Sequence, residues 1–292
     1  MNAASATPYN PNDASAIQRE LDQLRKQGPL QHIVIPPCPE LLTRLQAAMA
    51  SAEPDLNEVA RIAASDVAMS ATLLRCANSP MYAAGQPAQT IGQAMNRLGL
   101  EQTAAVLTGF LAQRAIRVTS PHLKRYWERA TKRALAMEFI AGKLPGASPD
   151  VAHTYGLFCH VGMPVMLQSV KDYAGTVVEA NARIDRSYTA TENANHRTDH
   201  AVVGALVARV WNLAPSVMAA IRLHHDFDML GERGTQAEVQ TLVAEHFVRN
   251  HEGLESDVDW NTHAAAALRW LDVSGDELSI WEDELQATLD AA

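Results

Sequence analysis

From Pro39 onward, apolar residues recur three and four positions apart in one segment after another. Glu40–Ser51 carries Leu41, Leu42, Leu45 and Met49; Val67–Ala77 carries Met69, Leu73 and Leu74; Leu100–Arg117 carries Val106, Leu107, Phe110 and Leu111. Residues at this spacing share one helix face, so each segment must bury a stripe against another helix. Only His32–Ile35 reads as a strand, and Pro36-Pro37 ends it. A single short strand has nothing to pair with, so we expect an extended connector there. The pattern predicts an all-α fold. Aromatic residues make up only 5% of the 292-residue chain and apolar residues 47%. That is enough for a core of helices packed through small side chains.

Local stop and start signals place the helices. Gly28-Pro29 ends a first helix over Asp13–Gln27, and residues 1–12 read as a loose tail. A short helix over Asn57–Ala64 carries Val59, Ile62 and Ala63 inward. Asp66 suits the N-cap of Val67–Ala77, and Asn78-Ser79-Pro80 breaks that helix. Asn tolerates a left-handed backbone, Ser can bond the main chain, and Pro cannot continue a helix. Thr90 caps Ile91–Leu98, with Gly99 just past its end. Further helices are expected over Pro121–Leu144, Pro149–Cys159, Met163–Val170, Tyr173–Arg183, His200–Trp211, Pro215–His224, Gln236–His251, Asp259–Leu271 and Gly275–Leu289. Thr198 or Asp199 is a suitable N-cap ahead of His200, which then occupies a first turn.

Several function classes are disfavoured. The net charge is −9, from 33 acidic and 24 basic residues, with no long basic run. Nucleic acid is therefore not an expected partner. The basic cluster Lys124, Arg125, Arg129, Lys132 and Arg133 reads first as a solvated helix face, with phosphate binding as the alternative. No apolar run is long enough to span a bilayer, and the start has neither a basic region nor an apolar core of a signal peptide. Cys38, Cys76 and Cys159 are odd in number and widely spaced, as expected of free thiols in a reducing cytoplasm. The chain holds no GxGxxG, GxxxxGK[ST] or GxSxG motif.

Taken in order, several motifs converge on one family. They are Ile35-Pro36-Pro37-Cys38-Pro39-Glu40-Leu41; Ile62 to Ser70 with Asp66; Leu73 to Tyr82; Thr90 to Met95; and Leu98-Gly99. Tyr126-Trp127, Gly156–Gly162, Thr198–Gly204, Trp211–Ala214 and Ile221–His225 follow. The set resembles the HDOD family, the HD-related output domain of bacterial signalling proteins, over roughly residues 30–228. Val67 stands where that family usually has Pro, which leaves the Asp66 cap intact. The resemblance implies an HD-like helical bundle with an additional N-terminal helical lobe. It places the HDOD domain at 13–228, the lobe at 13–110, the bundle at 111–228 and a C-terminal helical extension at 235–292. It marks Asp66, Asn78, Ser79, Tyr82, Gly99, Trp127, Gly156, Gly162, Asp199, His200, His224 and His225 as fold signatures.

In HD phosphohydrolases the segment matching Gly156–Gly162 reads Gly-Leu-Leu-His-Asp-Ile-Gly, and its His-Asp pair holds metal. Here Cys159 and His160 stand in those places, and Tyr126-Trp127 falls near the position of an earlier His. The carboxylate that would orient a metal-bound water is replaced. Any metal would use Cys159 or His160, His200, and His224 or His225, with Asp199 or Asp226 orienting a ring. Adjacent helical residues point about 100° apart, so Cys159 and His160 are not expected to share one ion. The reading therefore expects no catalytic residue, no cofactor beyond an adventitious transition metal, and histidines acting as buried polar anchors. The implied function is a non-catalytic regulatory output module that binds a protein partner. No receiver, GGDEF or EAL domain is seen, so a stand-alone module is expected. The alternatives are a degenerate metal-dependent phosphohydrolase and a non-cleaving sensor of a cyclic-dinucleotide second messenger.

Overall fold

The computed structural model describes residues 11–50, 52–82, 85–227, 236–255 and 258–291. Their regular structure is entirely helical, as the apolar spacing predicts. The helices are α1 (Pro11–Gln27), α2 (Glu40–Met49), α3 (Leu56–Ala64), α4 (Val67–Ala77), α5 (Ile91–Leu98), α6 (Leu100–Ala115), α7 (Tyr126–Lys143) and α8 (Pro149–Phe158). They continue as α9 (Gly162–Ser169), α10 (Tyr173–Ala182), α11 (Tyr188–His196), α12 (His200–Val210), α13 (Pro215–Leu223), α14 (Gln236–His251), α15 (Val258–Leu271) and α16 (Gly275–Asp290). The expected tail at residues 1–12 lies outside the described residues up to position 10; Pro11 already opens α1. The expected helix over Pro121–Leu144 is divided. A 3-10 turn at Pro121–Leu123 precedes α7, which starts at Tyr126. Helix α11 was not foreseen.

The chain groups into two compact units along a line different from the expected lobe boundary. One unit holds residues 37–117; the other holds 11–36 together with 118–289. Thus α1 belongs with the bundle and not with the lobe. Its Glu20 and Asp22 pair with Arg222 on α13 and Arg209 on α12, each at 2.6 Å.

In the 37–117 unit, caps set the helix ends. The Asp66 carboxylate accepts from the amides of Ala68 and Met69, at 2.8 and 3.1 Å. Thr90 and Gln93 form a capping box, and Gly99 takes φ 79. Asn78 acts differently from expectation. It sits at φ −102, and its amide pairs with both backbone groups of Ala88, donating at 2.9 Å and accepting at 2.8 Å. Arg97 Nη1 donates to the same carbonyl oxygen of Asn78 at 2.9 Å. The side chain therefore replaces a missing strand partner for the loop. The Ser79 hydroxyl, expected to bond the main chain, is buried without a hydrogen bond.

In the larger unit, α7 lies along α8, α12 packs on α9 and α13, and α14 covers α7. Missing side chains set these spacings. A Cβ at Gly156 would stand 2.8 Å from Ala134 Cα on α7. One at Gly162 would stand 2.1 Å from the His200 carbonyl oxygen on α12, and one at Gly204 would stand 2.9 Å from Ile221 Cγ2 on α13. The fully buried Trp211 indole donates to the Pro36 carbonyl at 2.8 Å and meets Phe158 edge-on at 5.9 Å.

Gly162→Ala should therefore destabilise the protein by at least about 2 kcal/mol, because the obstacle is main chain and cannot rotate away. Gly175→Ala, in α10 with nothing within 4 Å of the added carbon, should instead be neutral or stabilising by up to about 1 kcal/mol. Urea midpoints of both variants check the contrast.

Candidate functional site

Four histidines meet inside the larger unit. His160 lies in the turn between α8 and α9, His200 is the first residue of α12, and His224 and His225 follow the end of α13. One ring nitrogen from each falls within a common 4.8 Å. His200 Nε2 is 3.3 Å from His224 Nε2 and 3.2 Å from His225 Nε2. The His160 ring stands 4.9 Å from that of His200 and 5.0 Å from that of His224, centre to centre. His200 and His224 are fully buried and His160 is 8% exposed.

The outward nitrogens face oxygen. His200 Nδ1 is 2.7 Å from Glu192 Oε2, and the Glu192 carboxylate also accepts from the His200 amide at 3.2 Å. Tyr173 donates its hydroxyl to the other Glu192 oxygen. His224 Nδ1 is 2.6 Å from the Ile221 carbonyl. Asp259 Oδ2 lies 3.4 Å from His225 Nδ1, and Glu245 Oε1 lies 3.7 Å from His160 Nδ1. An imidazole that donates through Nδ1 keeps its lone pair on Nε2. For His200 and His224, that lone pair points into the cluster. His160 Nε2 is buried with no hydrogen-bond partner. Burial, then the nearby Arg133 charge, holds the His160 pKa well below the usual histidine value; burial, then the neighbouring imidazoles, does the same for His224. Burial opposes charge on His225 as well, but the Asp259 carboxylate outweighs it and raises that pKa.

Cys159 does not join the cluster. Its thiol points to the Gly156 carbonyl at 3.5 Å, and burial pushes its pKa up to about 12. The expectation that adjacent Cys159 and His160 aim apart is met by this geometry. The expected orienting acids are not the ones used. Asp199 caps α12 through the Val202 amide at 2.9 Å and accepts from Asn193 at 2.7 Å. The carboxylate nearest His225 is Asp259 and not Asp226. Sequence reasoning missed Glu192, Glu245 and Asp259 as partners. They reach the rings from α11, α14 and α15.

A cavity of about 650 Å³ opens beside the cluster, with His160 and His225 in its wall next to Arg125, Arg129, Arg133 and Tyr188. The basic cluster is only partly a solvated face: Lys124 and Arg125 are exposed, whereas its last two members are buried. Lys132 and Arg133 are 6% and 4% exposed. Packing of α14 on α7 brings Glu245 to Arg133 and Glu252 to Arg129 at 2.6 Å; Arg125 lies 3.2 Å from Glu252. Such closeness neutralises charges that the sequence alone would leave in water.

The HDOD domain profile matches residues 35–227. The chain belongs to the HDOD family. A protein of Treponema pallidum (strain Nichols), described only as "Uncharacterized protein", is 26% identical over 194 residues; the match covers 66% of this chain and 38% of that relative. The chain thus spans well under two thirds of the curated relative's length. The fold is similar to that of the "Putative phosphohydrolase" of Shewanella amazonensis SB2B, with TM-score 0.71, 19% identity, and coverage of 95% of this chain and 96% of that one. It is also similar to a "Putative signal transduction protein" of Marinobacter aquaeolei VT8, with TM-score 0.64, 16% identity, and coverage of 98% and 67%. At these identities the likeness speaks to fold. The all-helical, HD-like architecture is therefore that of an HDOD protein. No helix among the described residues is long and apolar enough to cross a membrane.

Because the Cys159 thiol stays protonated at neutral pH and is fully buried, iodoacetamide at pH 8 should leave it unlabelled in the folded protein. The partly exposed Cys38 and Cys76 should react first, and Cys159 only after denaturation. Peptide mass spectrometry reads the three sites.

Proposed function

We propose that this protein is a non-catalytic regulatory module of a bacterial, cytoplasmic signalling system that acts by binding a protein partner. One observation carries the reading. Among the described residues, the nitrogens that converge at the old hydrolase centre come from four histidines, and no carboxylate oxygen joins them. Glu192, Asp259 and Glu245 stand behind the rings, against Nδ1. An acid in that position can orient a ring. It cannot take a proton from a water at the centre, because the ring lies between them. Hydrolysis needs an activated water and a group to receive its proton. The HDOD frame supports the signalling assignment by family membership.

A second reading, a non-cleaving sensor of a phosphorylated second messenger such as a cyclic dinucleotide, is favoured by one feature of the cavity. Arg133 Nη1 and the Tyr126 hydroxyl are buried in its wall without hydrogen-bond partners. Against it, Arg125, Arg129 and Arg133 are each already matched by Glu128, Glu252 or Glu245. A bound phosphate would have to compete with those carboxylates, so the protein-binding reading stands first.

The full chain should release no product from nitrophenyl phosphodiesters, nucleotides or cyclic dinucleotides, supplied with Mg²⁺, Mn²⁺ or Zn²⁺, above the level of a His200→Ala variant. Turnover that the variant loses would sink the reading. Calorimetry with cyclic dinucleotides separates the sensor: saturable micromolar binding weakened by Arg133→Ala would favour it over protein binding.

A further inference from the structure

The cavity has two features that the histidines do not use. The first is a pair of unfilled donors in its wall. Arg133 and Tyr126 are only 4% and 6% exposed, yet Arg133 Nη1 and the Tyr126 hydroxyl have no hydrogen-bond partner. Glu245 bonds Nε of the same guanidinium and leaves Nη1 open. Burial raises the Tyr126 pKa, with the Arg133 charge acting against it, so the phenol keeps its proton and lies near enough to feel that charge. Buried donors left open are costly until an acceptor fills them.

The second feature is apolar surface where the same wall meets solvent. Between α10 and α11, Arg183 donates to both Asp185 oxygens at 2.9 and 3.0 Å and to Glu179 at 2.8 Å. Arg186 donates to Glu179 at 3.0 Å and to Thr191 at 3.1 Å. This bracing leaves Ile184 standing out at 90% exposure. Leu254, in the turn after α14, is also exposed, and both side chains line the cavity. Scattered exposed apolar residues mean little. Two that border one cavity with unfilled buried donors are the elements of an interface anchor, apolar cover around an enclosed polar contact.

We propose that this cavity receives an acidic segment of a partner protein. One aspartate or glutamate of the segment accepts from Arg133 Nη1 and the Tyr126 hydroxyl, and apolar side chains beside it cover Ile184 and Leu254. The proposal deepens the protein-binding reading and rests on it. Charge favours an acid. Seven lysine or arginine side chains line the cavity against four aspartate or glutamate, and cations stay in excess when Glu179 and Asp185 are set against Arg183 and Arg186. This occurs in a chain of net charge −9, so the cavity is a local attractor for a group that the whole molecule repels. A single carboxylate needs only the donors that Glu245 leaves open, whereas a cyclic dinucleotide brings a second phosphate that must compete with the paired carboxylates. A small acid free in solution would fill the donors but leave Ile184 and Leu254 in water.

The test pans the immobilised full chain against a phage-displayed library of linear peptides. Selected sequences should carry an Asp or Glu beside large apolar residues. One of them, synthesised with a fluorescent label, should bind with micromolar affinity by anisotropy. Tyr126→Phe deletes a hydroxyl that bonds nothing within the protein, and it should weaken that binding about tenfold or more. Ile184→Asp, at an exposed position, should weaken it by a similar factor. Neither change should lower the melting midpoint. When the acid of the peptide is replaced by its amide, wild type and Tyr126→Phe should bind alike, which couples the hydroxyl to the carboxylate. Selection of no peptide, selection of peptides without an acid, or binding unchanged in either variant would overturn the proposal. A native partner that co-purifies equally with wild type and Ile184→Asp would also overturn this surface, while leaving the protein-binding reading intact. Phosphodiester turnover that His200→Ala loses would remove the non-catalytic reading, and the peptide measurements would still decide this surface.

Discussion

The absence of a side chain at Gly162 is the constraint on which the larger unit depends. The start of α9 presses against the first carbonyl of α12 so closely that a single methyl would overlap it. That contact fixes where the preceding turn can go, and His160 is in that turn. Gly204, one turn further along α12, admits Ile221 of α13 in the same way. Two glycines thus determine that a turn, a helix start and a helix end arrive at one point. Interiors are packed too tightly to absorb an extra atom at such a junction. The histidine geometry is therefore a result of backbone approach before it is a result of side-chain chemistry.

This changes the meaning of the altered hydrolase segment. Replacing an acid by His160 removes a proton acceptor, and it also swaps a hard oxygen donor for a nitrogen. The surrounding acids were not discarded but stand one layer back, where they hold ring orientation. By its donors the cluster presents imidazole nitrogen alone at its centre, with the carboxylates set behind the rings.

Much of the fold could be read from the residues because its signals are local. Asp66, Thr90 and Gly99 act within one turn of their own positions, and the boundaries of α4, α5 and α14 follow the expected residues. Helix α11 could not be read. Its sequence, Tyr188 to His196, has no apolar stripe, and what it buries is Thr191 and Glu192. A buried face made of polar groups is invisible to a rule based on hydrophobic spacing. The same blindness hid the orienting acids, since Glu192, Glu245 and Asp259 reach the rings through folding and not through sequence distance. It also misplaced Lys132 and Arg133 in water, because their burial depends on α14, more than a hundred positions away. The four histidines were legible as candidates. Their convergence was not, because the glycine contacts that cause it are long-range.

One further consequence concerns the amino-terminal helix. Glu20 of α1 grips Arg222, two residues before His224. The opening segment is also moored at Pro36 by the Trp211 indole. The first helix and the end of α13 are thus joined by an ion pair set two residues from the paired imidazoles.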